Sequence, residues 1–569
     1  MSNVTTLYIN GQKVEGDLII PDGTTSINDY AFYHCSDLTS VSIPNGVTSI
    51  GSNAFSNCSN LTNITIPDSM TSIGYNAFNS CSKLTSITVP DSVTNINDAF
   101  NNCTGLTNIT GSANNVISIS RQARPVSFAA VITSGTSIDN SAFSGFTGLT
   151  SIVIPNSVTS IGEYAFKDCN NLTSIVIPNS VTSIGESAFK DCNNLTSITL
   201  PFAGESKTAS DYRQVFGYIF GYTKVSGGSS PVSGAIYQYR GSDSYDYYYY
   251  IPSGLVSVTI TGENISDHAF YNCSNLTNIE ISSNTTSIGG GAFYDCYSLT
   301  SIIIPSSVTR IGSSAFYGCS GLTDITIPNS VTNIGSYAFD YCNNLTTIYY
   351  TGDIADWCKV NKQSALGQST LGSNVTSLYI NDQRVEGDLI IPAGVTSISN
   401  FTFYNCIDLT SITIPDSVTN IGGSSFYGCN HLTTVYYLGD LEGWNKISGL
   451  DNLMSNVTTL YINGQKVEGD LIIPDGVTSI NDYAFYNCKD LTNVTIPSSV
   501  TNIGSSAFYN CNKLTNIAIP DKVTSIGSNA FYDCSKLENI TIPNSITNIG
   551  YQAFYNTIIK NIYITDLAA

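Results

Sequence analysis

The chain repeats itself every 23 residues, and this period limits its fold more than any other feature. Residues 165–187 read AFKDCNNLTSIVIPNSVTSIGES, and residues 188–199 begin again with AFKDCNNLTSIT. An Ala-Phe pair, replaced by Thr-Phe at Phe403 and Ser-Phe at Phe426, marks 17 such units between Phe32 and Phe554. A unit this short cannot bury an apolar face by itself. Stacked copies can, so the period predicts a solenoid.

Each slot of the unit has a physical task. Leu172, Ile175 and Ile177 fit the L-x-x-L-x-L stretch of a leucine-rich repeat. Ile175 and Ile177 alternate, which predicts that both point inward from one short strand, leaving Thr173, Ser174 and Val176 more exposed. Pro178 has no N–H for a ladder and ends the strand. Fifteen of the 18 prolines occupy this slot, so it is a corner of the coil. Val181 and Ile184 supply a second inward stretch, and Phe189 fills the far end of the core. Gly185 is expected at a turn with positive φ.

Charge supports the same picture. The formal net charge is −21, yet only 11% of residues are charged and 42% are hydrophobic. A disordered acidic chain would have the opposite balance. Identical charges on in-register strands ~4.8 Å apart would repel by roughly 0.9 kcal/mol even at the dielectric of water. Thr, Ser and Asn avoid that cost, so the expected outer surface is polar and mostly neutral. The acidic balance argues against nucleic acid and against anionic lipid as partners. No apolar run is long enough to span a bilayer. The opening MSNVTTLYINGQ has neither a basic start nor an apolar core, so no signal peptide is expected in it.

The unit AFxxCxxLTxIxIPxSVTxIG, written out in residues 165–185, resembles the treponemal-type leucine-rich repeat of BspA-like surface proteins. The resemblance covers nearly the whole chain. It implies a β-rich, leucine-rich-repeat-like solenoid of 23-residue coils with short strands and few short helical turns. It further implies a surface or secreted protein of bacterial or protist type, of which some act as adhesins for host matrix proteins or other microbes.

A longer period overlies the first. SNVTTLYINGQKVEGDLIIPDG at 2–23 recurs at 455–476, and a close variant starts at Ser373. The tails IYYTGDIADWCKV and VYYLGDLEGWNKI precede the second and third of these headers. This predicts three modules, 1–372, 373–454 and 455–569. The first carries an irregular coil at 110–141, a Tyr-rich insertion at 202–262 and a tail at 348–372. Each tail reads as a closing element and each header as an opening coil. Asn10-Gly11 and Asn463-Gly464 are expected to form type I′ hairpin turns, with Asp382 a weaker substitute for the glycine. Ile354, Trp357 and Val360 should share one face of a short helix capped by Asp353. The chain starts and stops at module edges, which reads as a segment of a longer surface protein or a shortened gene product.

The residues that could carry chemistry are few. Fifteen of the 16 cysteines lie three positions after the Phe of a unit, with Cys358 in a tail. Adjacent in-register cysteines would hold Cβ atoms roughly 4.8 Å apart, beyond the preferred disulfide range. Phe146 and Thr557 occupy the same slot, which fits volume filling better than bonding. No C-x-x-C pair supports a metal site. His34, His268 and His431 fall in three different slots, and no nucleophile motif accompanies them. The expectation is no enzyme, no cofactor and no metal. Arg240 to Asp243 spell RGSD, one residue longer than an integrin-type motif. Sequons such as Asn171-Leu172-Thr173 follow from a repeat written in Asn, Leu and Thr.

The one departure with binding character is GSDSYDYYYYIPSG at 241–254. It sits in a stretch, 202–262, that contains ten tyrosines among many Gly and Ser. Tyr245, Tyr247, Tyr248, Tyr249 and Tyr250 could form an internal core, cover a sheet edge, or serve as a recognition loop. On a strand about half would face outward, either Tyr245, Tyr247 and Tyr249 or the alternate pair Tyr248 and Tyr250. These five are the candidate binding residues. The leading functional expectation is a non-enzymatic binding or adhesion scaffold for a protein or glycan on another cell or matrix. A structural spacer or surface-layer component, or an intracellular interaction scaffold, is the alternative.

Overall fold

The computed structural model describes residues 8–9, 12–13, 15–226, 235–240, 245–363 and 371–565. The Asn10-Gly11 turn and residues 241–243 of the RGSD stretch lie outside them. The chain forms two compact units, Met1–Pro305 and Ser306–Ala569. Each is a β-solenoid built from short, mostly parallel strands.

In the first unit the coils pair one period apart. Strand Ser174–Val176 lies parallel to Ser197–Leu200, with Ile175 opposite Ile198. A second, two-residue ladder places Ser160–Ile161 beside Ser183–Ile184. Leu172, Ile175, Ile177, Val181, Ile184 and Phe189 are all buried, as the alternation predicts, while Thr173, Ser174 and Val176 are exposed. Phenylalanine rings stack from coil to coil, Phe143 on Phe166 at 5.3 Å and Phe166 on Phe189 at 5.2 Å.

The third side of the coil is an arm without regular strands, centred on the Ala-Phe pair. It alternates left- and right-handed residues: Tyr164 has φ 55° and Asp168 φ 61°. Such residues cost energy when they are not glycine. The offset comes from coil-to-coil hydrogen bonds, since Phe166 N donates to Ala188 O at 2.7 Å and Asp168 N to Lys190 O at 2.9 Å. The positive φ expected at Gly185 is not found there. Glycine is needed for another reason: a Cβ at Gly185 would lie 2.4 Å from Glu163 N of the coil before.

All 16 cysteines are buried and free. Those of the arm do more than fill volume. Cys192 Sγ donates to Phe166 O at 3.0 Å and Cys169 Sγ to Phe143 O at 3.2 Å, each reaching one coil back. Burial pushes the Cys192 thiol up to about 12, so it stays protonated and able to donate.

The irregular coil contains a helix, α1 (Ala113–Ala123). Ser112 caps it by accepting from Asn115 N at 3.3 Å, and Val116, Ile119 and Ala123 face the core. Parallel strands Asn108–Gly111 and Phe128–Ile132 flank it, so the main sheet runs on past the irregularity.

In the second unit the tails behave as splices. Helix α2 (Ile354–Lys359) is capped by Asp353, which accepts from Asp356 N at 2.8 Å. Trp357 and Val360 are buried and Ile354 half-buried, close to the expected face. Trp357 Nε1 donates to Thr402 O at 2.7 Å, inside the next Phe arm. In α3 (Leu441–Trp444) Trp444 Nε1 likewise donates to Ala484 O at 2.8 Å. Strand Thr347–Tyr350 pairs with Ser377–Ile380, and Thr434–Tyr437 with Thr459–Ile462, so the ladder crosses both tail–header joints. Asn463 and Gly464 have φ 48° and 74° between antiparallel strands, the expected I′ signature. Asn381 and Asp382 adopt φ 47° and 60°, so the same turn forms without glycine.

Candidate binding surfaces

The Tyr-rich insertion fills a missing coil. Strand Ser197–Leu200 pairs directly with Ser257–Ile260, so the sheet ignores the insertion. On the arm side, however, the insertion stands in for a Phe arm. Phe189 N donates to Ile219 O at 2.8 Å on one side, and Phe216 N to Ala269 O at 2.7 Å on the other. The 3-10 helix Phe216–Phe220 is wholly buried between these coils.

Over it lies a three-stranded antiparallel sheet of Tyr222–Ser226, Tyr245–Tyr249 and Ile236–Arg240, with the tyrosine run in the middle. The expectation that half of the run projects outward is corrected here. Tyr247, Tyr248 and Tyr249 are buried in succession. Tyr247 stacks on Tyr212 at 4.6 Å, and Tyr249 donates its hydroxyl to Tyr212 O at 2.7 Å. Tyr248 turns the other way and meets Tyr237 at 5.6 Å. Both faces of this strand are covered, so alternation selects between two interiors. Tyr245 is 38% exposed, with the Lys224 ammonium 4.2 Å from its ring centre, and Tyr250 is half-buried with its hydroxyl 2.8 Å from Thr223 Oγ1. One buried amide, Gln238, clamps the layers: it accepts from Gly217 N and donates to Tyr271 O, both at 2.7 Å.

A second aromatic surface was not singled out from the sequence. Ten of the 17 units place Tyr directly after the arm Phe. Across the stack these rings align. In the second unit Tyr486, Tyr509, Tyr532 and Tyr555 form a ladder with centroids 4.7 to 4.8 Å apart, the outermost two inclined by 21°. The first three are half-buried and Tyr555 is 53% exposed. Tyr404 and Tyr427 make a shorter ladder at 5.3 Å. The signal was present as a fixed F-Y spacing, but its meaning depends on coil register. Beside the rings, Asn510 Nδ2 donates to Asn487 Oδ1 at 2.9 Å, and Asn556 Nδ2 to Asp533 Oδ1 at 2.7 Å.

The three histidines remain apart. His34 lies 3.3 Å from Asn57 Nδ2, His431 Nδ1 is 2.7 Å from Ile407 O, and burial lowers His268. Among the described residues no group of three His, Cys, Asp or Glu could hold a metal ion, and no helix is long and apolar enough to cross a membrane.

A family model described as BspA type leucine rich repeat region (6 copies) matches residues 13–124, 127–215, 244–378, 384–447 and 464–568. Among solved structures, a leucine-rich repeat protein from Bacteroides ovatus is 23% identical, with 93% of this chain and 92% of that chain covered and a TM-score of 0.27. A leucine rich cell surface protein from Faecalibacterium prausnitzii is 28% identical, with 76% of this chain and 90% of that chain covered and a TM-score of 0.23. No curated protein matches the chain.

Proposed function

Because the chain belongs to the BspA-type leucine-rich-repeat family, we propose that it is a non-enzymatic scaffold at a cell surface that grips a protein partner with its tyrosine rows. The observation that carries this reading is the ladder Tyr486–Tyr509–Tyr532–Tyr555. Tyrosine supplies large contact area with few torsions to freeze, and it is enriched at interface hot spots. Here each ring is already held by its neighbours, so little rotamer freedom remains to be lost on binding. The Tyr-rich insertion joins the proposal through Tyr245 and the edge of Tyr250, while Tyr247, Tyr248 and Tyr249 seat it on the solenoid. Modules 1–372, 373–454 and 455–569 are proposed as the sequence units from which the scaffold is composed.

The thiols favour a binding role over a catalytic one. A nucleophilic cysteine needs a lowered pKa, whereas burial raises Cys58, Cys103 and Cys429 to about 12. A spacer without a specific ligand is the second reading, favoured by outward slots that repeat Thr, Ser and Asn almost unchanged.

The test is binding of the purified chain to immobilised extracellular-matrix proteins and to a glycan array. A variant with Tyr486→Ser, Tyr509→Ser and Tyr532→Ser should bind its protein target about tenfold or more weakly, with the fold intact by circular dichroism. Undiminished binding would remove the ladder from the functional account. A wild-type chain that binds nothing on either surface would favour the spacer.

A further inference from the structure

The helix-bearing coil leaves a gap that regular coils lack. Helix α1 brings no Ala-Phe arm, so its C-terminal end faces the arm of the next coil across an open groove of about 540 Å³. In a regular pair the arm alanine carbonyl accepts from a phenylalanine N–H one coil back, as Ala188 does from Phe166. Here the Arg121 guanidinium takes that part, donating to Ser141 O and Ala142 O at 3.3 Å each. Arg121 is therefore committed to the fold. Arg124 ends the helix in the left-handed region, at φ 50° and ψ 52°, and is exposed along the same groove. Its guanidinium has no hydrogen-bond or ion-pair partner among the described residues.

The groove also lies where the chain is least acidic. Between Ala99 and Gly162 the only acidic residue is Asp139, against Arg121 and Arg124, in a chain of net charge −21. Asp139 does not line the groove, and its carboxylate accepts from Ser137 Oγ at 2.7 Å. The remaining wall offers the half-buried Phe146 ring, held edge-on by Phe143 at 5.7 Å, together with Ser144, Thr147 and the exposed Gly145.

We propose that this groove binds an acidic saccharide. The carboxylate pairs with the Arg124 fork, whose planar donors match it. The C–H face of the sugar lies against Phe146, whose π-face is negative. The Ser144 and Thr147 hydroxyls, which both donate and accept, meet the sugar hydroxyls. The volume exceeds what a bare anion needs and falls within the roughly 300–1,000 Å³ usual for small-ligand sites. A peptide is disfavoured because, of the two rings that line the groove, Phe128 is buried and only Phe146 is open to a ligand. The site shares no residue with the tyrosine ladder and stands or falls separately from it.

Isothermal titration calorimetry of the intact chain decides the matter, with N-acetylneuraminic acid and trigalacturonic acid as probes. Their methyl esters and inorganic phosphate are the controls. At least one acid should bind saturably, and its ester and phosphate should bind about tenfold or more weakly, a step of about 1.4 kcal/mol. Arg124→Asn, chosen because Asn tolerates the left-handed backbone, should lose about tenfold or more in affinity at an unchanged melting temperature. The proposal fails if neither acid saturates, if an ester binds as well as its acid, or if R124N binds normally. Phosphate binding as tightly as the sugars would reduce the groove to a simple anion site and overturn the saccharide assignment.

Discussion

The cysteine slot looks like a place for a small apolar residue, yet its sulfur closes a hydrogen bond that no backbone group supplies. Phe166 O accepts from Cys169 N within its own coil and from Cys192 Sγ of the next. Cys192→Ala removes that second donor along with little volume. The expected loss is about 1–2 kcal/mol in urea unfolding, with Cys192→Ser less harmful because its hydroxyl can still donate. Thiol labelling should be slow in the native chain and complete after denaturation. Raised folded pKa values also give a pH signature. Unfolded thiols ionise from about pH 9 while buried ones hold their protons, so stability should fall as pH rises above 9.

Lys362 carries the opposite sign. It is fully buried, with Nζ donating to Trp357 O at 2.9 Å and Val360 O at 3.3 Å, and lying 4.1 Å from the Trp357 ring centre. Burial pulls it down to about 7, against the usual Lys value of 10.5. Between those values the unfolded chain holds more protons, so this group makes stability rise with pH. Wild type compared with Lys362→Met isolates it from the thiols. Between pH 7 and pH 9 the difference should move in favour of wild type by about 2 kcal/mol. A difference that stays flat would mean the ammonium remains charged on its two carbonyls and the indole face.

At the scale of elements, legibility followed local chemistry. The Asp353 cap, the Asn463-Gly464 turn and the Pro corner were readable because each rests on one or two neighbouring residues. Helix α1 was readable in principle: Ser112 stands at the cap and Val116, Ile119 and Ala123 keep helical spacing. A repeat-based reading suppresses that signal, because it treats any departure from the 23-residue pattern as decay. The burial of Tyr247, Tyr248 and Tyr249 was not readable. Alternation assumes one wet face, and from Tyr247 to Tyr249 this strand has none. The insertion is therefore predicted to be structural in its middle. Gln238→Ala would take the acceptor from the buried Gly217 N and the amide donor from Tyr271 O, and should cost about 2–4 kcal/mol. Tyr245→Ala should cost well under 1 kcal/mol, since its ring is partly wet. Equal losses at both positions would show that the sheet is not clamped where the geometry places the clamp.

At the scale of the whole molecule, the strand ladders within each unit join a coil to the adjacent one. Ile175 meets Ile198, Cys192 reaches Phe166, and Gly185 rests on Glu163. Length is therefore a quantised variable. Residues 165–174 and 188–197 carry the same ten letters, so excising 165–187 would set Phe189 where Phe166 stood and present Phe143 with an identical partner. That variant should refold with an unchanged dichroism spectrum, whereas removing 165–180 should leave an aggregate. Copies this alike are also the substrate of unequal recombination. A gene built this way can lose or gain whole coils between generations, and the fold accepts each such step while rejecting any frame-preserving slip that is not a full turn.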